Sequence, residues 1–297
     1  MGTSPVALSV VVVAHGMERE LPRTLTSLTL PYQRAIEDAE YEVIVVDNGS
    51  STPVTDAVPA TLRSSVRIHR IDAASPSPAH AANVGVELAT GTLVGLIIDG
   101  ARLASPGLLA LARHAAELDP RAVVTAPAWH LGTDAETGDQ AAEDALLESV
   151  RWEHDGYDLF SISRPAPSSA RGLFGPMGES SSLFMARPLW DELGGLDEAF
   201  SLPGGGLVNH DLYERALGLP GANLIVLLGE GTFHQSHGGA ATSGRISRDE
   251  MRADFEAIRG RPHRPPSARP TFLGAAPRQY LPYLEQSIAL ARARDQQ

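Results

Sequence analysis

Through the first half of the chain, apolar side chains gather into short β-branched runs: LSVVVVAH (8–15), EVIVVDN (42–48), VRIHRI (66–71), LVGLIID (93–99) and AVVTAPAW (122–129). Short apolar runs with little alternation suit strands covered on both faces, as in a parallel sheet. The segments between them carry helix signals. Ser75 to Pro78 leads into AHAANVGVELATG, with Gly91 as its closing residue, and Ser105-Pro106 leads into GLLALARHAAELD. Strands alternating with single helices predict β-α-β units and a mostly parallel sheet. Over 130–180 the pattern breaks into acidic, Ser, Pro and Gly positions, which reads as an insertion on the substrate side. Beyond it come a strand SSLFMAR (181–187), a helix around PLWDELGG, a glycine cluster PGGGLVNHDLYERAL and a strand NLIVLLG (223–229). RGRPHRPPSARP (259–270) favours extended backbone and predicts a tether to a terminal helix near QYLPYLEQSIALARARDQQ, an arm that packs on the body or on another subunit.

The early runs end on polar residues: His15, Asp47 with Asn48, Asp72 just past the third, and Asp99. In open α/β sheets ligands bind outside the carboxyl ends of the strands, so these side chains are expected to share a cleft. Asp99 stands out because a carboxylate ending a buried run requires a partner.

Composition narrows the chemistry. The 297 residues are 43% hydrophobic, enough for a full core, and there is no cysteine, which excludes disulfides, thiolate metal sites and cysteine nucleophiles. The formal charge is −12, and all 24 Lys+Arg positions are arginine. An acidic surface disfavours nucleic acid as a partner, and the lack of lysine removes Schiff-base chemistry. A phosphorylated ligand would need arginine, backbone N–H groups or a divalent cation. The turn after the first strand, VVAHGMEREL, holds the single Gly16, so the glycine fingerprint of a dinucleotide site is missing. No apolar run approaches the roughly 20 residues of a membrane helix, and a soluble cytoplasmic protein is expected.

Five segments taken in order, SVVVVAHGMERELPRTLTSL, VVDNGSSTP, AHAANVGVELATGTLVGLIIDGA, GESSSLFMARPLWDELGGLDEAF and GEGTFHQSHGG, resemble glycosyltransferase family 2, over roughly residues 7–242. The resemblance implies an α/β GT-A fold, with a Rossmann-like nucleotide-binding half at about 1–129 and an acceptor half at about 130–245. A C-terminal helical extension, 246–297, would follow and offer a surface for homo-oligomerisation. It also implies transfer of a sugar from a nucleoside-diphosphate donor, with UDP or dTDP expected, to a hydroxyl of a glycan or small-molecule acceptor, as in polysaccharide biosynthesis.

On the nucleotide side the resemblance implies Ala14, His15, Glu18, Asp47, Asn83 and Asp99. A carboxylate such as Asp47 suits the imide N–H of a uracil ring, although Asp47-Asn48-Gly49-Ser50-Ser51 also fits a plain turn with a helix cap. The family's fourth strand delivers Asp-x-Asp to a divalent metal. Here it reads Asp99-Gly100-Ala101, so the second carboxylate is missing. The segment that often lends the metal a histidine offers His234 and His237, a donor set that suits Mn2+ better than Mg2+. Arg102 is either a diphosphate clamp or the ion-pair partner of Asp99. The inverting members' Glu-Asp-x-Asp-Leu aligns with VNHDL, which puts Asn209 at the base position and Asp211 on the second acid. Asparagine cannot take the acceptor proton, so Asp211 or Glu179 is expected to replace it, or the route is not the inverting one. Trp129, Trp152 and Tyr157 read as core before they read as sugar platforms. Two other readings remain: a catalytically silent nucleotide- or glycan-binding assembly subunit, and a nucleotidyltransferase, for which VVAHGMEREL is poor in glycine.

Overall fold

The computed structural model describes residues 6–132, 139–237 and 246–296. In chain order these form β1 (Leu8–Ala14), α1 (Leu21–Leu28), β2 (Tyr41–Asp47), β3 (Val66–Arg70), α2 (Ala79–Leu88), β4 (Leu93–Ile97), β5 (Arg102–Ala104) and α3 (Leu108–Leu118). Next come β6 (Ala122–Thr125), β7 (Ala128–Leu131), α4 (Gln140–Ser149), β8 (Ser163–Pro165), β9 (Ser182–Ala186), α5 (Arg187–Leu193) and α6 (Val208–Leu217). The chain continues with β10 (Asn223–Leu228), β11 (Thr232–His234), α7 (Arg248–Arg259), β12 (Thr271–Gly274) and α8 (Leu281–Arg294).

Eight strands make the main sheet in the order β12-β10-β6-β9-β4-β1-β2-β3, with β9 alone antiparallel to its neighbours. Every residue of β1 is buried because the sheet is covered twice. Val11 and Val13 face the cluster that includes Ala81 and Ala82 of α2, while Leu8, Val10 and Val12 face the cluster of α1 and α3. That double cover explains the unbroken apolar runs of the sequence. A second sheet, β5-β11-β7-β8, stands at the carboxyl end of β4.

The run 122–129 is two strands, not one. Its chain leaves the main sheet at Ala126-Pro127, so β6 pairs with β10 and β9 while β7 pairs with β11 and β8. Gly91 does not close α2, whose C-cap is Ala89. Gly91 instead allows close approach to β1, since a Cβ there would lie 2.6 Å from the Ser9 nitrogen. The 130–180 segment contains α4, capped by Asp139.

The expected boundary at 245–246 falls on residues 238–245, outside the described ones. From 246 onward the chain is woven into the body. β12 extends the main sheet beside β10, Phe255 and Tyr280 are fully buried, and Tyr280 and Tyr283 pack on Trp129 with ring centroids 5.9 and 4.5 Å away. Among the described residues no helix is long and apolar enough to cross a membrane.

Candidate active site

The parallel strands β1, β2 and β4 end side by side, so Ala14, His15, Asp47 and Asp99 share one edge of the sheet. Ala14 is fully buried, whereas His15 and Glu18 are exposed at the mouth of the cleft. The His15 ring bonds the Asn48 carbonyl through Nδ1 at 2.9 Å. Asp47 is held within its turn: Oδ1 accepts from the Ser50 N–H at 2.9 Å, and Oδ2 from the Val54 N–H at 3.3 Å and from Arg70 at 2.6 Å. Both oxygens are engaged, as in the plain turn that the sequence also allowed. Asn83 lies on α2 and ties that helix to the Leu196 backbone and to Glu198.

Asp99 faces histidines. Its Oδ1 accepts from the Ala101 N–H at 2.9 Å, which fixes the carboxylate and turns Oδ2 outward. Oδ2 lies 2.9 Å from His234 Nε2 and 3.3 Å from His237 Nε2, and the two nitrogens are 3.1 Å apart. Three acceptor atoms at these distances repel one another unless a proton or a cation lies among them. Neighbouring ligands of an octahedral ion about 2.1 Å from each stand about 3.0 Å apart, so the residues present fit a divalent cation. Gly100 lets this turn press against β1, where a Cβ would meet Val13 O, Ala14 Cβ and Met17 Sδ at 3.1 Å. Ala101 is fully buried in the apolar cluster below β1 and α1, so its side chain takes no part in the triad. The Gln235 N–H donates to the Ala101 carbonyl at 2.8 Å and joins the Asp99 turn to the histidine segment.

Charge reinforces the geometry. Burial works to raise the Asp99 carboxyl, but the two imidazoles outweigh it and hold it well below the usual range. Burial and Arg102 lower His234. Burial also pulls His237 down, but Asp99 overcomes it and holds that imidazole above its ordinary value. His130 is pushed down to about 3 by burial and by His234, Arg102 and Arg164 around it. A cavity of about 640 Å³ opens beside His237, lined by Arg19, Asp139, Gln140, Asp144 and Ser236. The Ser236 N–H donates to Glu143 at 2.7 Å and its carbonyl accepts from Arg19 at 3.2 Å, so the turn before α1 and α4 together hold the segment between the two histidines. Sequence reasoning missed Arg19, Glu143 and His130 in these places. Only the alternation in Ala128–Leu131 carried a signal, for His130.

On the acceptor side the candidates separate. Asp211 is 2% exposed and clamped. Arg259 reaches both of its oxygens, at 2.5 and 2.7 Å, and Arg215 reaches Oδ2 at 2.7 Å. Three hydrogen bonds from two guanidinium groups occupy three of the carboxylate's four lone-pair sites and hold it charged, which argues against Asp211 as the base for the acceptor proton. Asn209 is half-buried in the first turn of α6 and its side chain makes no hydrogen bond among the described residues. Glu179 is half-buried, with neither oxygen bonded among the described residues. The antiparallel register sets Ser182 opposite Ile97, so the chain entering β9, with Glu179, crosses the same sheet edge as Asp99. Burial and the Glu179 charge hold the Tyr213 phenol above its usual range, which puts Glu179 near α6. His210 donates through Nδ1 to the Gly178 carbonyl at 3.1 Å. Trp129 and Trp152 are core, and Tyr157 is engaged with Glu230.

Comparison with known proteins follows the same lines. The family model for glycosyl transferase family 2 matches residues 9–176, more than half of the chain. Among solved structures, S. aureus TarS is 14% identical with a TM-score of 0.56, over 85% of this chain and 39% of that one. S. aureus TarS 1-349 in complex with UDP is 15% identical with a TM-score of 0.54, over 85% and 64%. The same piece in complex with UDP-GlcNAc is 15% identical with a TM-score of 0.56, over 85% and 65%. This chain thus spans less than two thirds of each of these structures, and the likeness is one of fold. No curated protein matches it in sequence.

Proposed function

Since the chain belongs to glycosyl transferase family 2, we propose that it moves a sugar from a nucleoside-diphosphate donor to a hydroxyl of a glycan or small-molecule acceptor, with a divalent cation held by Asp99, His234 and His237. The observation that carries this reading is the convergence of Asp99 Oδ2 and the two Nε2 atoms at the carboxyl end of the parallel strands. A uridine diphosphate donor is supported by the complex of S. aureus TarS with UDP-GlcNAc. A cation bound there would neutralise charge on the diphosphate leaving group.

The remaining work falls to side chains of this chain. Ala101 N–H and Gln235 N–H fix the Asp99 turn relative to the histidines. Glu179 is the proposed base, taking the acceptor proton on a carboxylate oxygen that nothing else engages. Asn209, across from it on α6, can position the hydroxyl through its amide but cannot accept that proton.

Two experiments test this. UDP, GDP, dTDP, CMP and NAD are compared for their shift in melting temperature with Mn2+ and with EDTA, because a ligand that binds only the folded state stabilises it by mass action. A shift for one diphosphate that vanishes with EDTA is expected; no shift with any of them would favour a silent binding subunit, the reading that Asn209 at the base position also supports. Glu179→Gln is expected to lower turnover by about 100-fold with no change in melting temperature. Unaltered turnover would remove Glu179 from the chemistry.

A further inference from the structure

The small sheet carries a row of basic residues of which the proposed chemistry uses only His234. Register places Arg102 of β5 opposite His234 of β11, His234 opposite His130 of β7, and His130 opposite Arg164 of β8. Residues directly opposite share a face of the sheet. Leu103, Phe233, Trp129 and Leu131, the alternate positions, enter the apolar core, so the basic row lies on the other face.

Arg102 is the residue in this row whose chemistry is incomplete. Its side chain is 11% exposed, yet its buried Nε and Nη1 have no hydrogen-bond partner among the described residues. Its nearest carboxylate, Asp99, lies 3.9 Å from Nε and is already engaged by the Ala101 N–H and two imidazoles. Buried guanidinium N–H groups without an acceptor are costly, and an oxyanion is the partner their fork geometry fits.

We infer that Arg102, with His130 on the same face across His234, is an oxyanion subsite next to the Asp99 triad, built to hold a phosphate-class group. Assigning that group to a substrate rests on the glycosyl-transfer reading. It is either a phosphate of the donor or an acidic substituent of the acceptor, and the two have the same chemistry at Arg102. The subsite itself does not require the cation.

Inorganic pyrophosphate is the probe, titrated calorimetrically into wild type, Arg102→Gln, Arg102→Lys and His130→Gln, with EDTA and then with Mn2+. Wild type is expected to bind pyrophosphate in EDTA, Arg102→Gln to bind at least about 10-fold more weakly, and Arg102→Lys to recover part of the loss, since lysine keeps the charge without the fork. His130→Gln is expected to show a smaller loss. Equal affinity for pyrophosphate in wild type and Arg102→Gln overturns the inference. Where Arg102→Gln does not fold, equal affinity in wild type and Arg102→Lys, together with no loss in His130→Gln, overturns it instead. Displacement of pyrophosphate by uridine diphosphate assigns the subsite to the donor, and simultaneous binding of the two assigns it to the acceptor. A wild type that binds pyrophosphate in EDTA but takes up no Mn2+ would end the cation reading and leave this subsite standing.

Discussion

Asparagine in place of Asp99 is expected to weaken Mn2+ binding by more than 100-fold and to lower turnover on the order of 1,000-fold, several kcal/mol of leaving-group stabilisation. The substitution is close to isosteric and retains an acceptor for the Ala101 N–H, so the turn is expected to keep its shape. What is removed is the negative charge facing His234 and His237, and with it the strongest ligand of the triad. Binding of Mn2+ followed by paramagnetic resonance, alongside donor turnover, checks both effects. Unchanged Mn2+ affinity in Asp99→Asn would show that the triad is not the cation site. The wild-type pH dependence has a definite sign. Asp99 holds the His237 proton above the usual imidazole range, and a cation can enter only as that proton leaves. Affinity for Mn2+ is therefore expected to rise as pH climbs past the ordinary imidazole value and that proton is lost.

Asp211→Ala is expected to destabilise the fold by about 3–5 kcal/mol, the cost of leaving partly buried arginines without their anion. In a chain of this size that is a fall in melting temperature of about 5–8 °C. Asp211 gathers Arg215 from its own helix and Arg259 from the C-terminal segment, and the same arginines extend to the Leu193 and Gly195 carbonyls and to Asp197. Removing the carboxylate would therefore loosen α6, α7 and the Gly194-Gly195 turn together. Urea denaturation measures the loss, and turnover per folded molecule separates it from catalysis. Stability unchanged with turnover lost would restore Asp211 as the base.

How much of this was legible in the sequence differs by element, for physical reasons. β1, β2, β4, β9 and β10 were legible because burial on both faces writes a nearly unbroken apolar run, whereas β3, an edge strand with exposed positions, was legible from its β-branched alternation. The split of 122–129 was signalled by Pro127, which cannot continue a ladder on its N–H side. α4 was obscured by its weak apolar face, with Glu143 and Leu147 its buried residues. α7 carried readable signals, the Ser247 and Glu250 capping box and the Met251, Phe255, Ile258 stripe that packs on the core, but its charged composition masked them. Within the site, Asp99, His234 and His237 were readable as a possible set from their types and order, and the structure brings all three together. The clamping of Asp211 by two arginines was not readable, because Arg259 lies 48 residues further along the chain and no local spacing announces such a pair.

The interweaving of residues 246–296 bears on how the chain matures as it is made. The ribosome delivers β1 to β4 first, and these can pair as soon as they emerge, since each lies next to an earlier or immediately following partner. The other edge of the sheet must wait. Until Thr271–Gly274 is synthesised, β10 offers an open flank, and until Tyr280 and Tyr283 arrive, Trp129 lacks two of its ring partners. The Asp211 carboxylate likewise waits for Arg259. A nascent chain paused before that point would present an exposed strand edge and an incomplete ion cluster together, the state in which a folding helper or a protease would meet it.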